Sequence, residues 1–148
     1  MQASHVKNKV AKQEENDKID QEKERIAEAG NQLDLSGGKG TVTLSSTTLE
    51  VWGTWRSAAE PTALLLGGLG AGLVELEGII AALAGRGCQV LAVKLPGTAE
   101  KHLESDIATL REFCDWAGLA KPVLYGRDWG GVQAIRYKIA HAKRAGTL

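Results

Sequence analysis

The chain has 148 residues, with 18 Lys/Arg balanced by 18 Asp/Glu and a sequence pI near 6.8. That length suits one domain with a real core, and the charge balance gives no reason to expect nucleic acid or a membrane surface as partner. No apolar run approaches the ~18–20 residues of a membrane span, and the N-terminus lacks a signal-peptide apolar stretch and is too acidic for a transit peptide, so the cytoplasm is the expected location.

Residues 1–40 read as a charged polar extension, partly helical or disordered. Up to residue 36 it holds six basic and eight acidic side chains and no aromatic. Ile19, Ile26 and Leu33 recur every seven residues, but the positions between them are charged or glycine. A coiled coil needs both seams apolar over several heptads, so that reading is rejected. Glu14 and Lys18 form an i,i+4 pair. Residues 36–40, Ser-Gly-Gly-Lys-Gly, read as a flexible joint.

The globular pattern runs from 41 to 148. Residues 41–45 and 48–55 alternate apolar and polar around a Ser-Thr turn, a β-hairpin pattern. A loop over 56–61 leads to a short apolar strand at 62–66 and a glycine-rich turn at 67–72. Residues 73–84 are expected as a helix with Leu76, Ile79, Ile80 and Leu83 on one side, stopped by Gly85 and Gly87. A buried strand at 89–93 follows, closed by Lys94-Leu95-Pro96-Gly97. The next helix, 100–117, carries Leu103, Ile107, Leu110, Cys114 and Ala117 on one face. Cys88 and Cys114 have neither disulfide nor metal-site spacing, and both are expected as small buried hydrophobes in a reducing compartment. No metal or cofactor is expected. The last strand, Val123-Leu124-Tyr125, turns through Gly126-Arg127-Asp128-Trp129-Gly130 into a helix with Val132, Ile135, Ile139 and Ala142 on one face. The order β-β-β-α-β-α-β-α implies an α/β fold: a mostly parallel sheet with flanking helices, entered by an antiparallel hairpin.

The strand–turn–helix around Asp128 has the frame G-x-nucleophile-x-G. Glycines allow the close backbone approach of a sharp bend, and the apex residue is pushed out over the sheet end, near the positive end of the helix that follows. A tight β–α turn with Asp128 as a helix cap has the same frame. The longer string Tyr125-Gly126-Arg127-Asp128-Trp129-Gly130-Gly131 resembles the nucleophile elbow of the α/β-hydrolase fold family, of the epoxide hydrolase and haloalkane dehalogenase type. That family typically has histidine where Arg127 stands. The turn after residue 66 resembles its His-Gly-x-Pro motif, with Gly67 for histidine and Gly70 for proline, and Lys94-Leu95-Pro96-Gly97 resembles its Asp-x-Pro-Gly, with Lys94 for aspartate.

The resemblance covers residues 41–148 and the first half of that fold, truncated after the elbow helix. It implies Asp128 as a nucleophile attacking an epoxide or carbon–halogen carbon of a small-molecule substrate through an alkyl-enzyme ester. It further implies that the Trp129 and Leu69 amides form an oxyanion hole. The family's lid, acid and histidine lie beyond residue 148, and none of His5, His102 and His141 is a convincing base. A single unreleased adduct on Asp128 is therefore expected. The elbow strand, interior in that family, is expected to be an exposed edge through which the chain self-associates or meets a missing C-terminal half. Two alternatives stand beside the hydrolase: a non-catalytic relic or interaction module, and an NADP-binding β-α-β unit. For the latter, G-x-G-x-x-G counted from Gly68 ends on Leu73, and Lys94 stands where an acid is expected.

Overall fold

Five short strands rich in Val, Leu and Thr pair into one sheet in the computed structural model, which describes residues 13–14, 17, 33, 35–57, 60–70 and 72–142. Strands β1 (Lys39–Thr43) and β2 (Thr48–Thr54) form the antiparallel hairpin, with Val42 opposite Leu49. Its turn is closed by the Leu44 amide donating to the Thr47 carbonyl at 2.8 Å. β2 continues antiparallel to β4 (Gln89–Val93), which runs parallel to β3 (Thr62–Leu66), and β3 runs parallel to β5 (Val123–Gly126). The spatial order is β1-β2-β4-β3-β5, so β5 is an edge of this sheet.

Period-two alternation sends side chains to two separate layers. On one face Leu64, Leu66, Leu91 and Val93 meet Ile107, Leu110, Phe113 and Tyr137 from helices α2 (Leu103–Ala117) and α3 (Trp129–Ala140). On the other, Leu65, Val90 and Ala92 meet Leu73 and Leu76, with Ile79, Ile80 and Leu83 of α1 (Glu77–Gly85) packed against them. Each large apolar side chain fully buried this way contributes about 1.5–3 kcal/mol relative to exposure.

Several sequence expectations need correction. The expected helix over 73–84 divides into a 3₁₀ turn, Gly72–Leu76, and then α1. Cys114 is buried but Cys88 is exposed, because it lies in the turn before β4, outside the strand that is buried. The expected joint at 36–40 is ordered: Ser36–Gly38 form a 3₁₀ turn and β1 already starts at Lys39. Leu33, within the polar extension, is buried in the main core, with Leu35 against it. Gln13 and Asp17 make an i,i+4 hydrogen bond of 3.0 Å. Lys18, Ile19, Ile26 and His5 lie outside the described residues, and with them the Glu14–Lys18 pair and the heptad spacing.

The largest correction is at α3. Its expected apolar face points outward: Val132, Ile135 and Ile139 are 40%, 52% and 72% exposed. The buried face is Gly130, Gln133, Ala134 and Tyr137. Gly130 is where this helix touches the end of β3. Positions four and seven residues on lie on the same side of a helix, so that contact turns Ala134 and Tyr137 inward and the aliphatic stripe outward. Edge-strand residues Val123 and Tyr125, 46% and 40% exposed, add to the uncovered apolar surface. Apolar edges of this kind promote self-association. The double variant Tyr125→Lys, Ile139→Lys is expected to stay monodisperse at higher concentration than the parent chain, as read by light scattering. Identical profiles would show that this surface is inert.

Candidate functional site

β3, β4 and β5 are parallel and end in register, with Leu66 beside both Val93 and Gly126. The turns that follow, 67–70, 94–97 and 127–128, therefore open at one end of the sheet. The amide of Gly67 donates to the Val93 carbonyl at 3.0 Å, which ties the first of these turns to the second strand.

Asp128 sits at the apex of the turn between β5 and α3 with φ 54° and ψ −120°, and it is the one non-glycine residue with positive φ among those described. The Gly130 amide donates to the Arg127 carbonyl at 2.9 Å. Together these make a type II′ turn with Asp128 at the position that normally requires glycine. An L-residue held there stores about 1–3 kcal/mol. The glycines on either side show what holds it. A β-carbon on Gly126 would overlap the Gly130 carbonyl and lie 2.6 Å from the Gly131 nitrogen, and one on Gly130 would overlap the Leu66 carbonyl. The strand and helix backbones are thus in direct contact, and the chain between them has no wider path.

The exposed Asp128 side chain lies against the first turn. A β-carbon placed on Gly68 would be 3.4 Å from Asp128 Cβ, 3.0 Å from the Arg127 carbonyl oxygen and 3.0 Å from Glu75 Oε1. Glu75, on the 3₁₀ turn Gly72–Leu76, accepts the Gly68 amide at 2.9 Å. The sequence reading did not single it out, because one Glu in a run of apolar residues reads as the solvated side of a helix. Its carboxylate takes up the Gly68 amide of the glycine-rich turn, an amide that the β-α-β cofactor reading would leave for a phosphate, and this argues against that reading.

Leu69 is 46% exposed in the same turn. Trp129 opens α3, and its amide, as the first of the helix, has no intrahelical acceptor. Its indole N–H is buried without a hydrogen-bond partner among the described residues. Beneath the second turn, the buried Asp106 carboxylate accepts the Gly97 amide at 3.0 Å and the Gln133 side-chain amide at 3.2 Å. That network ties the 94–97 turn to α2 and α3.

Neither described histidine is placed as a partner for Asp128. His102 Nδ1 accepts the Thr98 amide at 3.2 Å, so the ring is turned back onto its own loop. His141 packs on Tyr137, with ring centroids 5.0 Å apart. It lines a cleft of about 410 Å³ between α2 and α3 with Arg111 and Arg136. Burial, and then the Arg111 guanidinium, hold it below the usual histidine range. The cleft shares no lining residue with the Asp128 turn.

No family model and no curated protein matches the chain. Solved structures do. An epoxide hydrolase from Vigna radiata superposes with a TM-score of 0.62 at 18% identity, over 72% of this chain and 37% of its own. A bacterial membrane phospholipase A gives 0.62 at 22%, over 72% and 36%. An α/β hydrolase from a metagenome of sediments of the Mar Chica lagoon, Morocco, gives 0.57 at 22%, over 72% and 48%. The chain thus carries part of the α/β-hydrolase fold and spans between a third and a half of the length of these structures. One fold serves different chemistries among them, so function has to be argued from the site.

If the turn at Asp128 is strained as described, relieving it should stabilise the fold. Asp128→Gly is expected to exceed Asp128→Ala by about 1 kcal/mol in urea denaturation, since both lose the carboxylate and only glycine accepts positive φ freely. Equal stabilities, or a more stable alanine variant, would contradict the geometry.

Proposed function

We propose that this chain belongs to a hydrolase of the aspartate-nucleophile type, in which Asp128 attacks the carbon of an epoxide or a carbon–halogen bond. The observation that carries this reading is the strained apex position of Asp128. Backbone strain of this kind, enforced by packing on both sides, persists where a side chain has to be presented. The side chain presented is a carboxylate, which suits displacement at an sp3 carbon rather than acyl transfer. An Asp128 carboxylate oxygen forms a bond to the electrophilic carbon as the carbon–oxygen or carbon–halogen bond breaks; the electron pair leaves on the epoxide oxygen, which takes a proton from solvent water, or departs with halide, and an alkyl ester remains on Asp128. Negative charge that develops on oxygen would be met by the Leu69 and Trp129 amides, and the positive end of α3 adds to that field. The Vigna radiata epoxide hydrolase shares this part of the fold.

A non-catalytic interaction module has one observation in its favour, the uncovered apolar stripe of α3 beside β5. The two readings differ in covalent chemistry. Incubated with a reactive terminal epoxide, the chain is expected to gain one adduct, mapped to Asp128 by peptide mass spectrometry. Asp128→Asn should abolish it with the circular dichroism spectrum unchanged. A chain that acquires no adduct on Asp128 would refute the hydrolase reading and leave the module.

A further inference from the structure

We propose that the cleft between α2 and α3 binds a small aliphatic carboxylate, with its chain laid along the groove and its head group held between Arg111 and Arg136. This site does not depend on the chemistry of Asp128, whose turn contributes nothing to its lining. Its volume of about 410 Å³ lies within the range of small-molecule pockets, about 300–1,000 Å³. Leu103, Ile107 and Ala108 of α2 and Ile139 and Ala140 of α3 give it apolar walls. Ile139 is 72% exposed, so an aliphatic chain in the groove would remove apolar surface of both ligand and protein from water.

The charged groups are sorted along this cleft. Asp106 of α2 and Gln133 of α3 touch at 3.2 Å, which sets the level of one helix against the other. The two helices run the same way, since Arg111, beyond Asp106, acts electrostatically on Tyr137 and His141, beyond Gln133. At 1.5 Å per residue, Arg111 lies about 7.5 Å and Arg136 about 4.5 Å past that contact. Two guanidiniums thus stand on opposite walls at nearly one level. Neither has a carboxylate within ion-pair distance among the described residues. Glu104 lines the same cleft about 10 Å back along α2 from Arg111. Two cations facing a common space repel each other until an anion lies between them, and their planar donor forks match a carboxylate. The apolar walls select an anion that carries an aliphatic chain. Glu104 sets its direction, because a head group placed at the other end would meet like charge.

The test titrates the full chain with sodium decanoate in a calorimeter, below the concentration at which the probe forms micelles. Binding is expected to saturate at one decanoate per chain. The His141 ring signals in the proton NMR spectrum, assigned by their loss in His141→Gln, should move over the same concentration range. Decanol has the chain without the charge and acetate the charge without the chain. Each should bind about ten-fold more weakly than decanoate or worse. Arg111→Met and Arg136→Met should each weaken decanoate by about ten-fold and leave decanol unchanged, with the circular dichroism spectrum of the parent. Ile139→Ser should weaken decanoate and decanol alike. No saturable binding to the parent would overturn the proposal, as would decanol or acetate binding as tightly as decanoate. Decanoate affinity untouched in both arginine variants would overturn it too.

Discussion

Gly130 rests against the carbonyl of Leu66 and Gly126 against the carbonyl of Gly130, each too closely for a β-carbon. That double contact between the start of α3 and the ends of β3 and β5 sets much of the remaining geometry. It fixes the rotation of α3, which is why Ala134 and Tyr137 face the core and Ile135 and Ile139 do not. It also leaves the intervening residues no relaxed route, so Asp128 takes a backbone conformation that suits glycine. The parallel register of β3 and β5 then brings the apex beside the glycine-rich turn at 67–70.

Strain of about 1–3 kcal/mol at one residue is a substantial fraction of the 5–15 kcal/mol by which a domain is stable. The two apolar layers offset it. Leu64, Leu66, Leu91, Val93, Leu110 and Phe113 are all almost fully buried on the face where α3 docks. The Asp106 carboxylate adds a polar tie from the 94–97 turn to α2 and α3, with both of its oxygens engaged. A wider turn would move Gly130 off the Leu66 carbonyl and with it the side of α3 that carries Ala134 and Tyr137 into this core.

Elements with a strong local signal were legible in the sequence. The hairpin, β3, β4, β5 and α2 follow from alternation, from apolar runs and from the helical spacing of Leu103, Ile107, Leu110 and Cys114. The strand–turn–helix around Asp128 was legible because close backbone approach restricts Gly126 and Gly130 to one residue type. What failed was inference of contact from periodicity alone. The stripe Val132, Ile135, Ile139 has helical spacing whichever way the helix is turned, and only the Gly130 contact decides which side is buried. Glu75 was invisible for a related reason. Its relation to Asp128 runs through Gly68 on another turn, and nothing local to Glu75 reports it. Leu33 reads as part of a polar segment because one leucine cannot outweigh its charged neighbours in any window.

The most direct test of the whole arrangement is an electron-density map of the turn from a crystal of the chain. It is expected to show Asp128 near φ 54° and ψ −120°, with the Glu75 carboxylate on the Gly68 amide. A negative φ at Asp128, with the turn widened and α3 drawn away from Leu66, would contradict the constraint from which the site has been derived.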